Sequence, residues 1–149
     1  MGSRRVVLVI QARMGSSRLP GKVLRPLAGK PMLEWVVRRL TRAKRISKVV
    51  VATTDQSMDN PIADLSRSLG VGVCRGSESD VLARYAGAAR VSKADLVIRV
   101  TADCPLIAPS LIDEMLGAVE KTGPWDHYSN VVERTYPRGL DVEIVSARA

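Results

Sequence analysis

The chain has no phenylalanine, and aromatic residues make up only 3% of its 149 positions. Its core must therefore be aliphatic. The scarcity also argues against the base-stacking platforms of single-strand nucleic-acid binders. Histidine occurs once, at His127, which excludes a histidine-rich metal site and disfavours a Ser-His-Asp triad. The two cysteines, Cys74 and Cys104, lack metal-ligand spacing. With no export signal in view, they read as reduced thiols of a cytoplasmic protein. No apolar run is long enough for a membrane span or a secretory signal core. Acidic residues are in deficit, 15 against 23 lysines and arginines, for a net charge of +8. Such a balance calls for an anionic partner. Nucleic acid, a nucleoside triphosphate and an acidic sugar all qualify. Nucleic acid is the weakest reading, because the basic residues are scattered and no recognition motif accompanies them. Neither a Gly-x-Gly-x-x-Gly nor a Walker pattern is present, against dinucleotide oxidoreductases and P-loop NTPases.

What is present is organised around Gln11–Lys22, Gln-Ala-Arg-Met-Gly-Ser-Ser-Arg-Leu-Pro-Gly-Lys. It follows the apolar run Val6–Ile10, which reads as a buried first strand. Glycines let backbone N–H groups approach an anion, and Arg13, Arg18 and Lys22 supply charge-assisted donors for phosphate oxygens. The alternative reading is a solvated basic loop.

The rest of the chain alternates between strand and helix patterns. A helix starts near Pro31, with Leu33, Val36, Val37 and Leu40 inward and Arg38, Arg39 and Arg42 on a solvated face. Val49–Ala52 is a second strand, with Thr53, Thr54 and Asp55 at its carboxyl end. Asn60-Pro61 reads as a capped helix start, Ile62, Leu65 and Leu69 as its inner stripe, and Gly70 as its C-terminal cap. Val71–Cys74 is a third strand, and Arg75–Asp80 a loop. A helix with inner positions Val81, Leu82, Tyr85, Ala88 and Ala89 follows, capped by Asp80 or Ser79. Asp95–Val100 is a fourth strand. It leads into Thr101-Ala102-Asp103-Cys104-Pro105, where a strand-end carboxylate is well placed for magnesium. Pro109–Thr122 is a further helix, closed by Gly123. The order predicts an α/β sandwich with a mostly parallel sheet and one domain over residues 1–149.

The stretch Ala12–Lys22, continued by Pro26-Leu27-Ala28-Gly29-Lys30-Pro31-Met32, resembles the N-terminal signature of sugar nucleotidyltransferases. It is most similar to the cytidylyltransferases that activate 3-deoxy-manno-octulosonate and acylneuraminate, and to the SpsF-like spore-coat polysaccharide group. Arg75-Gly-Ser-Glu-x-Asp-Val-Leu-x-Arg-Tyr and Pro137-x-Gly-Leu-Asp-Val-Glu also match the SpsF-like pattern. The resemblance runs from Val6 to about Val145 and is long and specific.

The resemblance implies the nucleotide-diphospho-sugar transferase type of Rossmann-like fold, a three-layer α/β/α sandwich. It implies that the loop wraps the triphosphate of CTP, with Arg13, Ser16, Arg18 and Lys22 on the phosphate side and Ala12, Gly15, Ser17 and Thr101 also binding the nucleotide. Arg75 and Ser77 become candidates for the base side, Arg84 a weaker one. Asp103 aligns with the family's magnesium-binding aspartate, in a motif where Ala102 replaces the usual glycine and its methyl is expected to crowd the nucleotide. Arg18, Lys22 and Asp103 are the expected catalytic residues. Asn130, Asp141 and Glu143 are candidates for sugar recognition or a second metal, although Leu140, Val142 and Ile144 equally suit a half-buried strand.

The expected reaction is Mg2+-dependent transfer of a cytidylyl group from CTP to a sugar, here expected to be acidic. Pyrophosphate is released, and the product serves cell-surface or spore-coat polysaccharide synthesis. A guanylyl or uridylyl transferase and a non-catalytic nucleotide-binding protein or fragment are the alternatives. Relatives are usually longer, so the chain is expected to lack a C-terminal part of the acceptor pocket and to bind CTP with magnesium but transfer it slowly or not at all. A homodimer is a further expectation, with neither nucleic acid nor membrane as partner.

Overall fold

A computed structural model of the chain describes residues 4–123 and 125–148. Strand β1, Val6–Gln11, carries five consecutive buried apolar side chains. Such a run suits a strand covered on both faces. It pairs in parallel with β4 (Lys48–Thr54) on one side and β6 (Leu96–Thr101) on the other. Strand β4 pairs in parallel with β5 (Gly72–Gly76). On the far side β8 (Glu143–Ser146) runs antiparallel to β6, and β7 (His127–Ser129) antiparallel to β8. The sheet order is β5-β4-β1-β6-β8-β7. A separate two-residue hairpin, β2 (Pro26–Leu27) and β3 (Lys30–Pro31), turns at Ala28 and Gly29, both at positive φ.

Among the described residues four α-helices cover the sheet: α1 (Met32–Leu40), α2 (Asn60–Ser68), α3 (Val81–Ser92) and α4 (Pro109–Thr122). Strand alternation sends Leu8, Ile10, Val51 and Ile98 to one face, against Leu33 and Leu40 of α1, Ile62 of α2 and Ile112 of α4. The opposite face, with Val7, Val9, Ala52 and Val97, packs on Tyr85 and Ala88 of α3. The result is the expected three-layer α/β/α sandwich with a mostly parallel sheet. Ile98 is fully buried, so truncating it to alanine costs about 2–5 kcal/mol.

Several local readings need correction. Leu82 is not an inner residue of α3: it is 79% exposed. It stands in the first turn at the margin of the stripe, and Tyr85, Ala88 and Ser92 carry the burial instead. Asn60 is not the cap of α2. Asp59 holds the N-cap position, and the Asn60 side chain accepts a hydrogen bond from Arg75. Arg75 itself belongs to β5, which extends to Gly76. Asp80 does cap α3, accepting from the Ala83 N–H at 2.8 Å. Gly70 adopts positive φ after α2 as expected. Among the described residues no helix is long and apolar enough to cross a membrane.

Candidate active site

The connection from β1 leads toward β4, whereas β6 is followed in the sheet by β8 on the other side. The carboxyl ends of β1 and β6 therefore form a topological switch point, where open α/β sheets leave a crevice. A cavity of about 310 Å3 lies there. Gln11, Ala12, Arg13, Ser16, Ser17, Arg18 and Lys22 line it from β1 and its loop. Arg99, Thr101, Ala102 and Asp103 line it from β6 and the turn that follows. Four cationic side chains thus face one carboxylate, a balance that favours a polyanion.

The β1 loop is anchored from below. The Met14 N–H donates to Oδ1 of Asp59 at 2.8 Å. The other Asp59 oxygen accepts from the Thr54 hydroxyl and amide. Asp59 is buried, so these bonds are what makes its carboxylate tolerable there. The Met14 carbonyl accepts in turn from the amides of Ser16 and Gly21. Gly21 has a φ of 68°, a region side chains rarely adopt. Sequence reading missed Asp59, because Met14 lies 45 residues away and only the pairing of β1 with β4 brings the two together.

The Lys22 ammonium donates to Oδ2 of Asp103 across the cleft. Burial pushes the Asp103 carboxyl up, but the hydrogen bonds from Lys22 and Thr101 outweigh it and hold the carboxyl below its ordinary value. Asp103 stays ionised and partly open to solvent. Among the described residues no cluster of three metal-ligating side chains occurs. A single strand-end carboxylate with the Thr101 hydroxyl beside it fits magnesium, which completes its shell with phosphate oxygens and water rather than an all-protein cage. The Ala102 methyl is buried within the aliphatic core, so it is accommodated beneath the cleft.

The remaining nucleotide-side candidates fall outside this cavity. Gly15 packs beside Glu78, whose carboxylate oxygen would lie 3.2 Å from an added Cβ. Arg75 donates to the carbonyls of Thr54 and Gln56 and to Asn60, stapling β5 to the β4–α2 loop. Ser77 hydrogen-bonds with Ser79 and with the Asp80 amide. Arg84 is buried; its Nη1 donates to the Ser77 and Glu78 carbonyls, and its Nε and Nη2 find no partner among the described residues. From the Ser77–Asp80 loop, Glu78 stands 3.8 Å from Arg13, which lines the cleft.

A second cavity of about 210 Å3 adjoins the first and shares Arg99 and Thr101 with it. Arg134, Asp141 and Glu143 complete its polar lining. Arg134 donates to Asp141, and Arg99 donates to Glu143, its register partner across β6 and β8. His127 stands 3.6 Å from the same Glu143. Asn130 lines neither cavity: its amide donates to the Leu140 carbonyl and accepts from the Val142 N–H, closing the loop between β7 and β8. Arg99 was not among the residues singled out by sequence. A larger cavity of about 430 Å3, near Arg4, Asp95 and Trp125, opens beside Leu96 at the amino end of β6. It lies away from the carboxyl strand ends where this fold class binds ligands.

Both thiols are held protonated by burial, Cys74 against the α3 side of the sheet and Cys104 beside Thr101. The α1 arginines are structural: Arg38 pairs with Glu34, and Arg39 donates to the Leu106 and Ile107 carbonyls.

A basic loop at the switch point, facing a strand-end aspartate, defines an α/β protein with an anion-suited cleft. The cytidylyltransferase family matches residues 7–147, and the chain belongs to it. It is 36% identical over 150 residues to the spore coat polysaccharide biosynthesis protein SpsF of Bacillus subtilis, covering 95% of this chain and 59% of that protein. It is 38% identical over 119 residues to 3-deoxy-manno-octulosonate cytidylyltransferase of an Anaeromyxobacter species, covering 78% and 48%. A solved cytidylyltransferase from Leptospira borgpetersenii superposes with a TM-score of 0.92 at 37% identity, over 97% of this chain and 61% of that one. The chain thus spans about half the length of the curated relatives it matches.

Proposed function

We propose that this chain is a nucleotidyltransferase-like unit that binds CTP with Mg2+ and serves transfer of its cytidylyl group to a sugar, within cell-surface or spore-coat polysaccharide synthesis. The observation that carries the reading is the meeting of the β1 loop and Asp103 in one cleft at the switch point. A sugar hydroxyl attacks the α-phosphorus. The new O–P bond forms as the bond to the β-phosphate breaks, pyrophosphate leaves with the electron pair, and the hydroxyl proton passes to solvent. Such chemistry depends on positioning and charge neutralisation. Arg13, Arg18 and Lys22 hold the β- and γ-phosphates and neutralise the leaving pyrophosphate, and the Ser16 and Ser17 hydroxyls add donors. Asp103 holds magnesium, which when bound polarises the α-phosphate. Asp141 and Glu143 face the sugar. An acidic sugar is the expected acceptor, in keeping with the relative whose name specifies 3-deoxy-manno-octulosonate.

The test is a thermal-shift screen of the four nucleoside triphosphates with magnesium. A ligand that binds only the folded state raises its midpoint by mass action. CTP should give the largest rise, and only with the divalent cation. No shift with any triphosphate, or an equal shift with all four, overturns the cytidylyl reading.

A further inference from the structure

Transfer joins an atom bound in one cavity to an atom bound in the other. Groups lining both cavities therefore mark where the two ligands meet, and these are Arg99 and Thr101. Arg99 is placed there by strand alternation, on the α3 side of the sheet with Val97. Its guanidinium lies over the Tyr85 ring, 5.8 Å from the centroid. Tyr85 in turn stands 3.4 Å from the Gln11 side chain, which lines the nucleotide cleft. Glu143 engages only Nη1 of Arg99. The second cavity's other cation, Arg134, reaches Asp141 through both terminal nitrogens.

We propose that Arg99 is the specificity-determining residue for the acceptor: at the junction of the two cavities it takes the carboxylate of an acidic sugar, and Glu143 is its resting counter-ion. The proposal rests on the sugar-transfer reading above. Arg134 is already occupied and stands away from the nucleotide, so it reads the acceptor less well. A planar guanidinium accepts a carboxylate on two parallel N–H bonds, which fixes orientation as well as affinity. The cation–π contact with Tyr85 favours this placement of the guanidinium, so less order has to be imposed when the sugar arrives. Glu143 keeps the cation compensated between turnovers and opposes any incoming anion. Removing that opposing charge should therefore improve binding, an effect that a purely structural ion pair does not produce.

The experiment measures binding of 3-deoxy-manno-octulosonate, N-acetylneuraminate and galacturonate, each at millimolar concentration, by saturation-transfer NMR. The parent chain, Arg99→Met, Arg99→Lys and Glu143→Gln are compared, with CTP and magnesium present. CTP affinity is measured on the same samples by calorimetry. Arg99→Met should weaken the preferred acid by about tenfold to a hundredfold, the scale of lost charged hydrogen bonds. Arg99→Lys should restore part of it, and Glu143→Gln should tighten it. Failure of the parent to bind any of the three acids, or a larger loss of CTP than of sugar in Arg99→Met, overturns the proposal. So does weaker acid binding in Glu143→Gln. Absence of CTP binding by the parent strikes the cytidylyl reading separately.

Discussion

Lys22 and Asp103 stand 81 residues apart in sequence and are joined by a hydrogen bond across the cleft. Each carries the charge that suits its own kind of ligand: the ammonium suits a phosphate, the carboxylate a divalent cation. Their pairing compensates both while the cleft is open to water. On the proposed function, a triphosphate and its metal would compete with this bond as they enter. The pair is more than a third exposed on the Asp103 side, so solvent screens it and it contributes little to stability by itself.

Three variants separate these roles. Lys22→Ala should weaken CTP binding by about 1.5–3 kcal/mol, the scale for hydrogen bonds to charged groups, and Arg18→Ala should behave alike. Asp103→Asn keeps its shape but loses the charge that holds the cation. It should fold as the parent does and lose the magnesium dependence of CTP binding. Calorimetric titrations with and without magnesium check both. Overlaid magnesium curves for Asp103→Asn and the parent would make Asp103 a turn residue.

The β5–α3 junction offers a contrast, because its polar groups are spent on the fold. Asp80 caps α3 through the Ala83 amide. Asp80→Ala should cost about 1 kcal/mol of stability, as lost N-caps do. CTP affinity should stay as in the parent. A denaturant titration gives the first quantity and calorimetry the second. A variant of parental stability that binds CTP poorly would place Asp80 at the ligand instead.

How much of this was legible in the sequence follows from the range of each interaction. The buried runs of β1, β4 and β6 declare themselves locally, and the sheet needs only their order. The signature loop and Asp103 were readable because each leaves the carboxyl end of a strand. Arg99 was not, since a lone arginine within Leu96–Thr101 looks like an outward strand position. Only the β6–β8 register, 44 residues away, gives it Glu143. The sequence reading begins the loop at Arg75, whereas pairing with β4 extends β5 through Arg75 and Gly76. Leu82 was assigned inward because helical spacing fixes direction but not where along the helix the covering layer ends.

Tyr85 provides a pH signature for the α3 side of the sheet. Burial pushes its hydroxyl up to about 12, against a smaller opposing effect of the Arg99 cation. The raised value means that the folded chain keeps the proton while the unfolded chain loses it near the ordinary value of about 10. The contribution to stability is therefore intact below about pH 10 and is lost as pH rises toward about 12. Tyr85→Phe should remove that alkaline loss. In the parent-minus-variant ultraviolet titration, one tyrosinate should form late, near the upper value. A difference spectrum with its midpoint near pH 10 contradicts the buried setting of Tyr85.

Asn130 is the acceptor-side candidate whose position argues most against ligand contact. Its amide nitrogen donates to the Leu140 carbonyl at 2.8 Å, and its carbonyl accepts from the Val142 amide at 2.9 Å. Both ends of the side chain are used by backbone that leads directly to Asp141 and Glu143. Asn130→Ala deletes both bonds and leaves two partly buried backbone groups without partners, at about 1–3 kcal/mol of stability. Asn130→Asp keeps the acceptor but loses the donor, and sets a carboxylate against the Leu140 carbonyl. It should be destabilised to a similar degree, where a sugar-binding residue would tolerate the exchange. Hydrogen exchange should show the 130–142 segment loosened in both variants while the β1 loop stays as protected as in the parent. A stable Asn130→Asp chain with parental protection would return Asn130 to the list of residues that face the sugar.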